Sequence, residues 1–518
     1  MRADFNTKGS LMSVFFRRTG GAVLTYVIAT QGALADLTAS DVWSDWQSYM
    51  GSMGYAVTGD QSTSGNVTNI TNMTLKMELP DEDGAFDMVI PEMTLTENGD
   101  GTVTIGLPES FPMTISGQAE GEAFSAALLY THDGLNMVVS GTPENMTYDY
   151  TAQSLGLALG DVTVDGETMP EDSLDLSLSL ADLAGTSRMV IGEGRTVDQT
   201  FTAADLTYEV NFNEPETGDQ GRINGKLTQL AFEGRNVIPA GFSLADVQAA
   251  DEAGFAFDGA FTYAAGQTSI EGTSEGEAFS MASSSDGGRF AASIDAQRLA
   301  YDVEQKNAKL SVTSADVPFP IELAMAKAGL KLEAPIQDSG EVEPFALALN
   351  LTDFTMSDIL WSMFDPAGAL PRDPATIALD ATGTAKILLN FLDPAAAEAM
   401  ETGDAIPAEL HSLKINELLV SLVGAKLTGN GDFTFDNSNA EQTGGMPIPT
   451  GVVNLQLVGA NALIDKLIEM GLVSDNDAMG ARMMMGMMAV PGEAPDTLNS
   501  TIEFKENGQI LANGQRIK

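Results

Sequence analysis

The chain has 518 residues, with 73 acidic and 25 basic side chains, two histidines and no cysteine, and its formal net charge is −48. The lack of cysteine excludes a disulfide scaffold and any cysteine-ligated zinc or iron–sulfur site. The negative charge argues against a nucleic-acid partner, because a phosphate backbone would be repelled. With 43% hydrophobic residues, the chain can still bury substantial cores.

The first 35 residues contain the features of a secretory signal peptide in the expected order. Arg17 and Arg18 precede a short apolar run at residues 22–29 (AVLTYVIA), and Ala33-Leu34-Ala35 forms an A-x-A cleavage site. We therefore expect a periplasmic protein that is cleaved after Ala35, with translation starting at Met1 or Met12. No later stretch is long and apolar enough to predict a transmembrane helix.

Apolar and polar residues alternate over long stretches of the mature chain. Such alternation places apolar side chains on one face of a strand and polar side chains on the other. The sequence therefore predicts a mainly β protein (α+β overall) made of extended antiparallel sheets. The clearest examples are residues 73–79 (MTLKMEL), 174–180 (LDLSLSL), 206–212 (LTYEVNF) and 345–351 (FALALNL), and Asn98-Gly99-Asp100-Gly101 is typical of a hairpin turn.

Part of the sequence is duplicated. Residues 120–125 (EGEAFS) recur at 275–280, Tyr148-Asp149 recurs as Tyr301-Asp302, and Asp161-Val162 recurs as Asp316-Val317. Collinear matches at a nearly constant spacing indicate two copies of one β unit.

The duplication predicts three parts after the leader. These are a β-rich unit at 36–200 with the first copy, a second β-rich unit at 201–338, and a C-terminal α+β unit at 339–518. Residues 335–344 (PIQDSGEVEP) are the predicted linker.

A few short helices are expected between the strands. The first is capped by Thr38 or Ser40, and its apolar residues Val42, Trp46 and Met50 follow helical spacing. Further predicted helices are 356–364, 392–400 and a helical hairpin formed by 460–470 and 474–488, while Gly429-Asn430-Gly431 is predicted to separate two strands.

Motifs in the last 160 residues or so resemble an uncharacterised alphaproteobacterial family, the domain of unknown function numbered 2125. The resemblance implies a Gram-negative periplasmic protein and supplies no activity or catalytic residue. At the level of fold alone there is a more distant similarity to β-rich envelope proteins that hold or bridge lipids. The matching residues are Leu360-Trp361, Asp365-Pro366, Leu370-Pro371-Arg372-Asp373-Pro374, Gly429-x-Gly431, Pro449, Gly451, Leu463-Ile464 and Gly471.

Two features could carry catalytic chemistry. Residues 272–276 (GTSEG) match the G-x-S-x-G nucleophile elbow, which requires a helix after the serine. The duplicated copy has Ala119 at the serine position, so a turn is the favoured interpretation. His132 and His411 have no neighbouring partner in the sequence, and neither is expected to be a metal ligand or a general base.

Two features could bind metal ions. Met479, Met483 and Met487 lie at i, i+4 and i+8, with Met484, Met485 and Met488 beside them. Thioethers are soft ligands for Cu(I), but the spacing favours a stripe that faces the core. Residues 98–101 and 81–83 could bind Ca²⁺ weakly, although turns and solvated carboxylates are the expected roles.

No catalytic, cofactor-binding or metal-ligating residue is assigned, and no cofactor is expected. The favoured function is that of an exported, soluble, non-catalytic envelope protein, a scaffold or binding module that could hold an apolar or lipid ligand. An exported hydrolase with paired carboxylates is one alternative. An outer-membrane β-barrel is another, although nine tyrosines and three tryptophans are few for aromatic girdles.

Overall fold

The computed structural model describes residues 37–78, 84–119, 122–170, 172–214, 217–240, 242, 254–315, 317–391, 406–438 and 447–518. The predicted signal peptide, the acidic turn at 81–83 and the predicted helix at 392–400 lie outside these residues.

Four helices occur in the described part of the chain: α1 (Ala39–Ser52), α2 (Asp358–Phe364), α3 (Ala460–Glu469) and α4 (Asp475–Met488). They confirm the predicted N-terminal helix, the helix after residue 356 and the helical hairpin near the C-terminus. None of these four combines the length and apolarity that crossing a bilayer requires.

Strands make up most of the described chain, and every strand pairing with a resolved register is antiparallel, which confirms the mainly β class. They are β1 (Ala56–Ser64), β2 (Val67–Glu78), β3 (Gly84–Glu97), β4 (Val103–Gly106), β5 (Ser110–Ala119), β6 (Glu122–Asp133), β7 (Asn136–Thr142), β8 (Asn145–Val164), β9 (Glu167–Thr168), β10 (Leu174–Ile191), β11 (Arg195–Glu214), β12 (Asp219–Ile238), β13 (Ala256–Tyr263), β14 (Ala265–Ser274), β15 (Glu277–Ser285), β16 (Gly288–Ile294), β17 (Arg298–Ser314), β18 (Val317–Pro335), β19 (Glu343–Met356), β20 (Ala375–Ile387), β21 (Ala408–Leu422), β22 (Ala425–Asp436), β23 (Ile448–Val458), β24 (Val490–Pro491), β25 (Thr497–Phe504), β26 (Ile510–Ala512) and β27 (Gln515–Arg516).

The chain divides into two compact units, one up to Ser280 and one from Met281 onward. The sequence predicts three parts instead, but β11 runs continuously across the boundary predicted at residue 200. The predicted linker at 335–344 is a hairpin loop, because β18 and β19 on either side of it pair with each other. Its polar and glycine residues reverse the chain direction rather than joining two domains.

The core of the first unit forms where α1 lies on the sheet. Val42, Trp46, Tyr49 and Met50 share one face of the helix and are buried, as their spacing requires. The sheet beneath them contributes Ile70, Met73, Leu75, Met93, Leu95, Ile105, Val139 and Val197, each at most 2% exposed.

A capping box fixes the start of α1. The Thr38 hydroxyl accepts a hydrogen bond from the Asp41 backbone N–H at 3.2 Å, and the Asp41 carboxylate accepts one from the Thr38 backbone N–H at 3.0 Å. Thr38, rather than Ser40, is therefore the cap. This reciprocal pair satisfies backbone donors that a helix N-terminus otherwise leaves free.

An ion pair is buried under α1. The Arg195 guanidinium on β11 lies 2.5 Å from the Asp45 carboxylate, and the Tyr148 hydroxyl on β8 donates to the second oxygen of the same carboxylate. Arg195 also lies over the Tyr49 ring, 5.2 Å from its centroid. Burial, with the Asp45 charge beside it, raises the pKa of Tyr148 well above its usual value, so the phenol stays neutral and keeps donating.

The duplication is visible in the order of elements. Strands β5, β6, β7 and β8 have counterparts in β14, β15, β16 and β17, which begin 152 to 155 residues later in the chain. The third strand of each set pairs with the fourth, β7 with β8 and β16 with β17. The Glu275-Gly276 turn has positive φ at both residues, as a two-residue hairpin turn needs. Asp316 and residues 120–121 lie outside the described residues.

In the second unit, strands β16 to β23 pair in chain order. The prediction that Gly429-Asn430-Gly431 separates two strands is wrong, because these residues lie inside β22. The chain turns instead at Val423-Gly424, where both φ angles are positive. Glycine suits a turn, but here Gly429 and Gly431 serve side-chain packing across the sheet, which the local sequence does not show.

The buried ion pair gives a test of how α1 is held. Asp45→Ala leaves the Arg195 guanidinium buried without its partner, so we expect the free energy of unfolding to fall by about 3–5 kcal/mol. Urea unfolding followed by tryptophan fluorescence measures it, since Trp43 and Trp46 lie on the same helix.

A surface pair of the same chemistry is the control. Arg235 and Asp198 are 3.0 Å apart, and their side chains are 60% and 43% exposed. Asp198→Ala should cost no more than about 1 kcal/mol. Equal losses in the two variants would contradict a structural role for the buried pair.

Candidate ligand-binding surface

One face of the sheet in the second unit is apolar from strand to strand. Because antiparallel partners lie directly opposite each other, their side chains project from the same face. The first row is Phe290, Val303, Leu330, Leu349, Leu379 and Leu418, each paired with the next, and it continues through Gly429 to Leu455.

Two further rows lie on the same face, one on each side of the first. Tyr301 pairs with Leu332, which pairs with Leu347, and on the other side Leu351 pairs with Ile377, which pairs with Val420. We call the surface formed by Phe290, Tyr301, Val303, Leu330, Leu332, Leu347, Leu349, Leu351, Ile377, Leu379, Leu418, Val420 and Leu455 the open face.

No residue of the open face is buried. Phe290 is 49% exposed, Leu330 47% and Ile377 42%. Among the described residues from Met281 onward, only four large apolar side chains are buried: Ile336, Leu370, Ile387 and Phe433. The described part of the second unit therefore has no layer over the open face comparable to α1 in the first unit.

The opposite face of these strands is charged and hydrated. Arg289 lies 3.0 Å from Asp302, and Lys327 lies 2.7 Å from Glu304. The hydrogen bond from Lys327 lowers the pKa of Glu304 below its usual value. The sheet is thus amphipathic, with one face suited to water and the other to apolar matter.

Two glycines leave space on the open face that neighbouring apolar side chains fill. A Cβ on Gly429 would lie 2.6 Å from Leu455 Cδ2 and 3.6 Å from Leu418 Cδ2, so the neighbouring leucines fold over the place where a side chain would stand. A Cβ on Gly383 would likewise lie 2.5 Å from Phe345 Cζ. The two glycines therefore keep the apolar surface flat and continuous.

A similar apolar row occurs in the first unit. Leu157 pairs with Leu178, which pairs with Tyr208, and all three are partly exposed. A cavity of about 260 Å³ lies at the far ends of these strands. It is lined by Leu159, Gly160, Asp161, Val162, Met169, Pro170, Leu174 and Asp175.

The Asp365-Pro366 motif closes the connection between α2 and β20. The Asp365 side chain is buried, and its carboxylate accepts hydrogen bonds from the backbone N–H groups of Ala369 at 2.8 Å and Leu370 at 2.9 Å. Burial opposes ionisation, but these bonds and the nearby Arg372 charge outweigh it and hold the pKa of Asp365 below its usual value.

The Leu370-Pro371-Arg372 motif fastens the same connection to its surroundings. The Arg372 guanidinium hydrogen-bonds to Asp358 at the start of α2 and lies 6.0 Å from the Trp361 ring centroid. A Cβ on Gly424 would lie 2.9 Å from Pro371 Cγ, so glycine lets the β21–β22 turn approach the proline. The motif residues therefore hold a loop together.

The G-x-S-x-G sequence does not form a nucleophile elbow. Ser274 is the last residue of β14, and β15 begins at Glu277 after a two-residue turn. An elbow requires a helix there, which would present its N-terminal N–H groups. The favoured interpretation of the motif as a turn is confirmed at Glu275-Gly276, and residues 272–274 belong to β14.

The two histidines lie in different units. His132 Nε2 is 3.3 Å from the Leu107 carbonyl oxygen, and its ring is tilted by 59° against the Tyr130 ring, with the centroids 5.9 Å apart. His411 Nε2 lies 3.8 Å from a Glu409 carboxylate oxygen. Within the described ranges, no three His, Cys, Asp or Glu side chains come together as a metal site of those ligands would require.

The Asn98–Gly101 turn satisfies its own polar groups. The Asp100 carboxylate accepts hydrogen bonds from the Thr102 hydroxyl and backbone N–H, and these bonds lower the pKa of Asp100. The Asn98 amide donates to Thr102 and Thr104. The Asp100 carboxylate is therefore used by hydrogen bonds within the hairpin, in keeping with the expected turn.

The methionine stripe of α4 faces solvent, whereas the sequence predicts that it faces the core. Met479, Met483, Met484 and Met487 are each more than half exposed, whereas Ala478 is buried. The expectation that Met479, Met483 and Met487 face the core is wrong, because Ala478 and the ion-paired Arg482 determine which side of α4 packs.

A family model matches residues 247–514, and the chain therefore belongs to DUF2125, described as uncharacterized protein conserved in bacteria. This confirms the family inferred from the motifs, whereas the alphaproteobacterial origin stays a prediction. Comparison with curated proteins gave no match, and neither did comparison with solved structures. The matched range contains the open face, the Asp365 loop and α4.

The lowered pKa of Asp365 gives a pH-dependent test. The unfolded carboxyl titrates near pH 3.9, so its folded-state contribution is complete above that value and disappears as the pH falls through the lower folded pKa. Asp365→Asn should lower the melting temperature at pH 7, and the difference from the natural protein should shrink below about pH 4.

The neighbouring Asp373 supplies a control, since it belongs to the same motif and is exposed. Asp373→Asn should leave the melting temperature at pH 7 nearly unchanged. A gap between Asp365→Asn and the natural protein that stays constant from pH 7 to pH 3 would show that the Asp365 charge is not what stabilises the loop.

Proposed function

We propose that this chain is an exported, non-catalytic envelope protein whose open face binds an apolar ligand of the lipid acyl-chain class. One observation carries the proposal: rows of partly exposed apolar side chains lie in register across the sheet, the longest row crosses eight strands with a glycine at one of them, and charged residues occupy the opposite face. Contiguous exposed apolar surfaces of this kind are typical of binding sites.

The dimensions of the open face suit an acyl chain. Neighbouring strands lie about 4.8 Å apart, so the seven steps from Phe290 to Leu455 span on the order of 30 Å. The hydrocarbon core of a bilayer is also about 30 Å thick and contains two leaflets, so one acyl chain extends roughly half that length. A chain lying along the row would therefore contact several strands.

The burial gained is large enough to give measurable affinity. Complete burial of one Leu, Ile or Phe side chain contributes roughly 1.5–3 kcal/mol, and the open face has about half of that left to gain at its most exposed positions. Four or five such side chains could supply several kilocalories per mole. Part of this is offset by the lost freedom of the ligand, which points to micromolar rather than nanomolar binding.

The location in the envelope rests on the leader at residues 1–35. An exported chain meets lipids and lipidated molecules, which supply acyl chains, and its net charge keeps copies apart through mutual repulsion. A non-catalytic role is supported by the turn at Glu275-Gly276, which leads from β14 into a strand and leaves Ser274 without the elbow of a hydrolase.

Export has a direct test. Expressed from its own leader in a Gram-negative host, the protein should appear in the osmotic-shock fraction with Asp36 as its first residue. A variant with Ala33→Arg and Ala35→Arg should remain uncleaved, because the cleavage site requires small residues. An intact N-terminus on protein that stays in the cytoplasm would overturn the proposed location.

Ligand binding is tested on the open face itself. Organic extracts of the purified mature protein are analysed by mass spectrometry for copurified lipid, and the stripped protein is titrated with the neutral probe N-phenyl-1-naphthylamine. Leu330→Glu places a charge in the first row, and we expect at least a tenfold loss of probe affinity, about 1.4 kcal/mol.

The matched control is Thr382→Glu, which adds the same charge on the polar face, where Thr382 pairs with Lys414. It should bind the probe as the natural protein does. Equal affinity in the two variants, or no probe binding and no lipid in the extract, would overturn the proposal. Circular dichroism of both variants verifies that the sheet is intact.

A further inference from the structure

Helix α4 presents four methionines to solvent. Met479 is 65% exposed, Met483 64%, Met484 57% and Met487 56%. We call these four residues the methionine face. They are more exposed than any residue of the open face, although methionine is usually used to fill apolar interiors.

The four side chains are close together on the helix surface. Successive residues on a helix are about 100° apart around its axis. Viewed down the axis, Met487 therefore lies about 40° from Met483, and Met484 lies about 100° from Met483. Both are within about one turn of Met483 along the axis. Residues three and four apart on a helix have Cβ atoms about 5–6 Å apart. Met487 lies three residues from Met484 and four from Met483, so it neighbours both side chains, and Met479 lies one turn before Met483.

The opposite side of α4 is anchored. Arg482 lies 2.5 Å from the Asp465 carboxylate on α3 and donates to the Asn461 carbonyl oxygen at 3.3 Å. Ala478 is buried on the same side, and Ser474 caps the N-terminus. The helix therefore cannot rotate to bury the methionine face without breaking these contacts.

We propose that the methionine face binds a soft monovalent ion, Cu(I), through the thioether sulfurs of Met483, Met484 and Met487, with Met479 as an additional donor. Thioethers select Cu(I) over harder cations. Three rotatable bonds in each side chain let sulfurs one turn apart converge on one ion. The strong negative charge of the chain also attracts cations.

Coordination, rather than apolar contact, explains the choice of residue. Leucine would give the same helix propensity and a similar apolar surface, but it has no donor atom. The inference does not depend on the open face, since α4 is a separate element and its ligand is an ion.

The test is a titration of the full mature chain. Under anaerobic conditions, Cu(I) is supplied from Cu(II) with ascorbate in competition with bicinchoninate, and Ag(I) serves as a redox-inert probe in calorimetry. We expect one ion per chain, sulfur ligands in the X-ray absorption spectrum of the copper-loaded protein, and at least a tenfold weaker affinity for Met483→Leu or Met487→Leu.

The control is Met363→Leu. Met363 is 68% exposed on α2, where no other methionine lies three or four residues away, so its loss should leave the affinity unchanged. Unaltered binding in the Met483→Leu and Met487→Leu variants, nitrogen or oxygen ligands in the spectrum, or no bound ion would each overturn the proposal. Exchanges of exposed methionine for leucine preserve side-chain volume, and circular dichroism verifies the fold of each variant.

Discussion

The whole structure depends on keeping water from the apolar face of long alternating strands. A strand with period-two alternation has one face that prefers to be covered, whatever covers it. In the first unit α1 does this, held by its capping box and by the buried contact between Asp45 and Arg195. In the described part of the second unit the strands carry the same pattern without such a helix. The two units therefore differ in whether a helix covers the apolar face of the sheet, and this difference identifies the open face as a candidate binding surface.

The strands and most helices could be predicted from the sequence because each is a local pattern. Alternation at residues 345–351 and helical spacing from Val42 to Met50 need no knowledge of neighbours. The buried pair could not be predicted in this way, since Asp45 and Arg195 are 150 residues apart and no local pattern links them. The role of Gly429 also depends on partners, because Leu418 and Leu455 come from adjacent strands.

The open face was predictable in part. Alternation establishes that an apolar face exists, but only the register shows that Phe290, Val303 and Leu330 are opposite one another. Exposure is a further property that sequence does not give. Helix α4 shows the same limit: spacing establishes that Met479, Met483 and Met487 share a side, whereas Arg482 and Ala478 determine which side that is. Periodicity shows which residues share a face, but it does not show whether that face packs against another element or is exposed to solvent.

The uneven distribution of charge across the second unit has a consequence for concentrated solutions. Two copies could shield their hydrocarbon surfaces by stacking face to face, and long-range repulsion between polyanions is the force that opposes it. That repulsion acts over a Debye length of about 10 Å in 0.1 M salt and only about 3 Å in 1 M salt. Colloidal behaviour of this chain is thus coupled to ionic strength, and brine or acid would favour sandwich-like pairs in which each copy becomes the other's missing layer.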